Sequence, residues 1–141
     1  VRAAARRSLA QLLSMDKQAH KEYAGRRILI LDDDGTFVMP LVDALAARQI
    51  QVKVISEPAE AIELLQTWQP DALLCAIVET SFLDKVRAAS PDVPVLVACS
   101  HDVESVAGVL TSARALYVSK PTTVAYVVRT LEAVLSPTSE G

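Results

Sequence analysis

The chain is expected to fold as an α/β protein, a doubly wound five-stranded parallel sheet preceded by an extra N-terminal helix. Three observations predict it. From Arg27 onward, short apolar runs alternate strictly with helical periods over about 110 residues. Those runs are rich in Ile, Val and Leu and show little polar alternation, as strands do when helices cover both sheet faces. The length of 141 residues, 51% of them hydrophobic, suffices for one ordinary domain and a short appendage.

Residues 2–23 lack Pro and Gly and are rich in Ala, Leu, Gln, Lys and Arg, so they predict a helix that Gly25 ends. Strands are expected over 28–31, 52–55, 72–77, 95–98 and 116–118. Helices are expected over 36–48, 58–68, 82–89, 103–113 and 122–135. Pro40 falls inside the first of these, which implies a late start with Thr36 as cap or a kink. The organisation is therefore a linking helix over 1–25, a domain over 26–136 and a tail over 137–141.

Charge marks the same boundary. Residues 1–27 carry a net +5 and the remaining 114 a net −8. The basic segment reads as a solvated join between modules, and the Val at position 1 suggests a piece of a longer protein. Aromatic residues make up 4%, too few for a base-stacking surface, so nucleic acid is not expected as a partner. The longest apolar run, 72–78, is too short to span a bilayer, and no secretory signal precedes it, so a cytoplasmic setting without membrane contact is expected. Cys75 and Cys99 fall on strands expected to be neighbours and read as buried inert thiols, with a redox pair as the alternative.

Ligands of parallel sheets sit at the carboxyl ends of the strands. There the first strand ends in Asp32, Asp33 and Asp34. Like charges about 5 Å apart repel by roughly 3 kcal/mol per pair at an effective dielectric of about 20. Solvent, a cation or a lysine must offset that. Lys120, followed by Pro121 at the end of the last strand, is the candidate.

Four elements in order now resemble the receiver domain of two-component response regulators, over roughly residues 26–136. They are the first strand with its acidic pair (28–33), Pro70-Asp71-Ala72-Leu73-Leu74, Pro94-Val95-Leu96-Val97 and Tyr117-Val118-Ser119-Lys120-Pro121. The resemblance implies a sheet ordered 2-1-3-4-5. It gives Asp32 and Asp33 the part of the metal-binding acidic pair and Lys120 that of the lysine that meets the phosphoryl group. Tyr117 takes the aromatic that rotates on activation, and Cys99 falls at or beside the switch Ser/Thr, with Ser100 next to it.

The departure lies in the third strand. Where the family reads Pro-Asp-x-x-x-x-Asp, this chain reads Pro70-Asp71-Ala72-Leu73-Leu74-Cys75-Ala76. A methyl group at Ala76 neither attacks phosphorus nor binds magnesium, so no catalytic residue and no cofactor are expected. At most a weak magnesium site at Asp32 and Asp33 remains. Thr80 stands where a proline is usual, and no glycine occurs over 112–115.

The implied function is that of a pseudo-receiver, not an enzyme, acting by protein–protein contact with a partner or an adjacent domain. The fourth helix, fifth strand and fifth helix, with Val103, Val109, Tyr126 and Arg129, form the candidate face for a partner or a homodimer. In the fourth helix, Val103, Val106, Ala107 and Leu110 are expected to form the core stripe, with Val109 outside. Two alternatives stand beside this reading. Asp32-Asp33-Asp34-Gly35-Thr36 also fits the Asp-x-Asp-Gly-Thr signature of haloacid-dehalogenase-like phosphatases, with Asp32 as nucleophile and Asp34 as acid/base, but no later strand ends in paired acids. The other alternative is a small-ligand sensor that uses the vacated pocket.

Overall fold

The computed structural model describes residues 22–136. The helix expected over 2–23 lies outside the described residues except at its end, where 22–25 form a turn; the tail 137–141 lies outside them too. The elements are β1 Arg27–Leu31, α1 Gly35–Ala47, β2 Gln51–Ile55, α2 Pro58–Thr67 and β3 Ala72–Cys75. They continue as α3 Thr80–Ala89, β4 Val95–Cys99, α4 Val103–Ala113, β5 Leu116–Ser119 and α5 Val124–Val134. All strand pairs are parallel, and the order is β2-β1-β3-β4-β5. No helix among the described residues is long and apolar enough to cross a membrane.

The strand sequences look unbroken in hydrophobicity because the sheet has two covered faces. Leu29, Leu31, Leu73, Cys75, Val95, Val97 and Cys99 join one core with Ala61, Leu65, Phe82, Leu83, Val86, Val106 and Leu110 from α2, α3 and α4. Ile28, Ile30, Ala72, Leu74, Leu96, Ala98 and Val118 join the other with Val38, Leu41, Leu45, Val127, Val128 and Leu131 from α1 and α5. The period-2 geometry of a strand sends alternate residues to opposite cores.

Several boundaries differ from the sequence expectation. β3 ends at Cys75, not 77: its pairing with β4 stops at Cys75 opposite Val97, and the last link is the Ala76 N–H donating to Leu31 O at 3.1 Å. Ile77 and Val78 leave the ladder and pack, half-buried, against the first core, so their apolar character served packing and not pairing. α3 starts two residues early, at Thr80. α5 starts at Val124, because the Thr123 hydroxyl accepts from Tyr126 N at 3.1 Å and caps it. α1 starts at Gly35 and runs on through Pro40, which is exposed and lacks the N–H that would have met the carbonyl of Thr36.

The glycine missing over 112–115 has a physical replacement. Arg114 takes the left-handed conformation (φ 57°, ψ 44°) at the end of α4. For a residue with a Cβ that costs about 1 kcal/mol. Arg87 surrounds this turn, donating from Nε to Ala113 O at 2.7 Å and from Nη1 to Val93 O at 2.6 Å, while Arg114 Nη2 reaches Pro91 O at 2.8 Å. At the helix end Ala113 O is thereby satisfied by a guanidinium group, while Thr111 O and Leu110 O accept the main-chain N–H groups of Arg114 and Ala115.

Candidate functional site

The carboxyl edge of the sheet gathers the ends of β1, β3, β4 and β5. Asp32 follows β1 directly and is held in line by its own N–H, which donates to Ile55 O at 3.2 Å. It is the only buried charged residue among those described, 8% exposed. Lys120 follows β5, its N–H donating to Cys99 O at 2.9 Å, and its peptide bond to Pro121 is cis. The two side chains meet with Lys120 Nζ 2.7 Å from Asp32 Oδ2. The other oxygen, Asp32 Oδ1, accepts the Asp34 N–H at 2.9 Å. Both acceptor atoms of Asp32 are thus engaged.

Asp34 completes the cluster. It occupies the N-cap position of α1 without a side-chain cap bond; Oδ1 instead accepts the Thr36 hydroxyl at 2.7 Å, and Oδ2 lies 3.7 Å from Lys120 Nζ. The Thr36 bond is the largest cause holding the Asp34 carboxyl below its ordinary value, and the Lys120 charge works in the same direction. On the far side, the Phe37 ring centre lies 4.1 Å from Lys120 Nζ, a cation–π contact. Asp33 is exposed.

Two clefts flank the Asp32–Lys120 pair. One, about 390 Å³, is lined by Asp34, Thr36, Phe37, Ser100, Lys120, Pro121 and Thr122. The other, about 120 Å³, is lined by Leu31, Asp32, Asp33, Ser56, Ala76 and Ile77. Ala76 therefore sits beside the acidic pair, at the third strand end, and Ser100, not Cys99, opens into the cleft that holds Lys120. Cys99 is buried, with its Sγ 3.8 Å from the Tyr117 hydroxyl. That hydroxyl reaches Cys99 O at 3.1 Å and also His101 O.

Of the face residues, Val103 is 49% and Tyr126 57% exposed, and Arg129 is exposed as well. Val109 is half-buried against the first core, so it does not stand free. Val103 and Ala107 in turn leave the expected core stripe, which is Val106, Leu110 and Ala113. Leu116 on the edge strand β5, 48% exposed, was missed because an edge strand reads like a central one in sequence. Phe37 was missed as part of the site, and Thr36 was expected only as a helix cap and within the Asp-x-Asp-Gly-Thr motif; their signal was their place in the first turn of the helix that follows the acidic strand end. Cys75 and Cys99 are both free and buried.

No family model matches the chain, and no curated protein matches it either. Solved structures do. A CheY-like response regulator receiver domain protein from Methanospirillum hungatei aligns with TM-score 0.69 at 18% identity, over 77% of this chain and 91% of that one. The chemotaxis response regulator CheY4 of Vibrio cholerae aligns with TM-score 0.68 at 18% identity, over 78% and 98%. A streptococcal redox sensor described as evolved from two-component response regulators aligns with TM-score 0.71 at 20% identity, over 78% of this chain and 51% of that one. The chain has the CheY-like receiver fold, with the strand order and flanking helices that define it.

The magnesium ion that the family resemblance implies does not fit the residues present. Such an ion needs several oxygen ligands in octahedral array. Asp32 has both oxygens engaged, Ala76 offers no side-chain oxygen, and Asp33 alone of the acidic pair is free to turn toward an ion. Among the described residues no group of three or more His, Cys, Asp or Glu is placed to hold a metal.

Proposed function

We propose that this chain is a pseudo-receiver module of a signalling protein, one that takes no phosphoryl group at the third strand end and works through protein–protein contact. The observation that carries it is the methyl group of Ala76 in the small cleft beside Asp32 and Asp33, where phosphotransfer needs a nucleophilic carboxylate. The contact surface is the face of α4, β5 and α5, where Val103, Leu116 and Tyr126 stand exposed on neighbouring elements with Arg129 beside them. A second copy of the chain or an adjacent domain is the partner this face suits. The test is phosphate uptake from a small acyl-phosphate donor with magnesium: the chain should remain unlabelled, and stoichiometric, alkali-labile phosphate would overturn the reading.

One observation favours a second reading. The cleft of about 390 Å³ places the Lys120 ammonium, the Ser100 and Thr122 hydroxyls and the Phe37 ring around one space, within the size range of small-molecule sites. A ligand-sensing role for it predicts a rise in melting temperature with its ligand, which a metabolite panel would reveal. The phosphatase reading has no such support: both Asp32 oxygens are engaged, and no strand follows β5 among the described residues.

A further inference from the structure

We infer that Lys120 is the resident counter-ion of this site, taking the place of a divalent cation, and that Asp34 and Phe37 hold it there. This rests on the receiver-like reading of the strand ends but adds a claim about a different pair of residues. Three groups converge on one ammonium: Asp32 Oδ2 at 2.7 Å, Asp34 Oδ2 at 3.7 Å and the Phe37 ring centre at 4.1 Å. The Lys120 side chain is 16% exposed and that of Asp32 3%, so this charge pair is largely shielded from water. A shielded carboxylate requires a partner, and here the chain supplies it covalently attached.

Asp34 and Phe37 matter because they turn a movable lysine into a fixed one. A lysine ammonium is a compact charge on a flexible stem, free to serve whichever anion lies nearest. Here a second carboxylate and a π face fix it on the α1 side of the site, next to the Asp34–Thr36 turn. Where the resembled family pattern has a carboxylate, this chain has Ala76, and the carboxylates near Lys120 are Asp32 and Asp34, on the β1–α1 side of the site. A metal that takes Asp32 Oδ2 as a ligand would have to displace the ammonium.

The experiment is a thermal melt of the intact chain and of Lys120→Met, each with and without millimolar magnesium or calcium chloride, against sodium chloride of matched ionic strength. The intact chain should show no metal-specific shift. Lys120→Met should melt about 10 °C lower, because it strands a shielded carboxylate. The divalent ions, and not sodium, should restore about half of that drop. A metal-specific rise in the intact chain would overturn the inference, as would a Lys120→Met variant that loses no stability or is not rescued. Should Lys120→Met fail to fold under every condition, Asp34→Asn and Phe37→Leu decide: each should lower the melting temperature by a few degrees, and no loss from either overturns it. Phosphate uptake by the intact chain would end the pseudo-receiver reading and leave these melts interpretable.

Discussion

Lys120 and Asp32, 88 residues apart, meet at 2.7 Å on the carboxyl edge of the sheet. The pair ties the loop after β1 to the loop after β5, across β3 and β4, and it does so beside the methyl group of Ala76. In a phosphorylatable receiver such a lysine would answer to a phosphoryl group; here its charge is committed to carboxylates of the first loop. On the same strand, Tyr117 sits two residues before Ser119, and its hydroxyl bonds the turn after β4.

Tyr117 is expected to hold that turn. Its hydroxyl reaches the main-chain oxygens of Cys99 and His101. Tyr117→Phe keeps the ring and removes the bond, so it should cost about 1 kcal/mol in denaturant unfolding. Amide exchange over 99–103 should accelerate, while exchange in β1 and β3 stays as it was. Unchanged exchange in the turn would mean that packing alone holds it.

Acid should act through Asp34. Its carboxyl is held below the ordinary value of 3.8, first by the Thr36 hydroxyl. A lowered folded-state pKa contributes stability above the ordinary value, and that contribution is lost as the pH falls through the folded value. Thr36→Val should therefore move the Asp34 carboxyl titration, followed by carbon NMR, up toward 3.8. Asp34→Asn should flatten the acid limb of the stability profile. An Asp34 titration indifferent to Thr36→Val would contradict the assigned cause.

Alkali should act through Cys75. Burial pushes its thiol from 9.0 up to about 12, so the folded chain keeps it neutral where the unfolded chain ionises it. Its contribution is complete below 9.0 and is lost progressively as the pH climbs from 9.0 toward 12. Cys75→Ala should lower stability at neutral pH, through the small cavity, yet lose less of it between pH 8 and 10. In the native chain at neutral pH a thiol-directed reagent should leave Cys75 unmodified until the protein unfolds.

The exposed face should behave as surface in the isolated domain. Tyr126 is 57% exposed and Leu116 48%. Tyr126→Asp and Leu116→Lys should each change stability by less than about 0.5 kcal/mol. If the face joins copies of the chain, both should shift sedimentation toward the monomer. An association that survives both substitutions would move the contact elsewhere.

Much of this architecture was legible in the sequence, for reasons that can be named. The run Ile28–Leu31, followed by three aspartates, could only be a buried strand ending at solvent, and Lys120 was the cation at hand. Strict alternation of strand and helix fixed a parallel sheet, and its order came from the family resemblance. The misreadings arose where one residue type serves two ends. Ile77 and Val78 are apolar for packing and not for pairing, so β3 was drawn too long. Val103 and Val109 are both valines on one helix, and only the docking of α4 on the sheet decides that Val109 packs inward and Val103 stays exposed. Asp34 read as one of three adjacent carboxylates; its bond to Thr36 is local, while its approach to Lys120 is a contact 86 positions away in the chain. Phe37 was legible only as an early residue of the helix after the acidic strand end, and its part in the site depends on Lys120, 4.1 Å from its ring centre.

The most direct test of the central claim is intact mass after incubation with an acyl-phosphate donor and magnesium, read alongside a phosphorylatable receiver as positive control. The pseudo-receiver account predicts that the control gains one phosphoryl group and this chain gains none. A stoichiometric phosphoryl adduct on this chain, lost in mild alkali and mapped to an aspartate of the first loop, would contradict it.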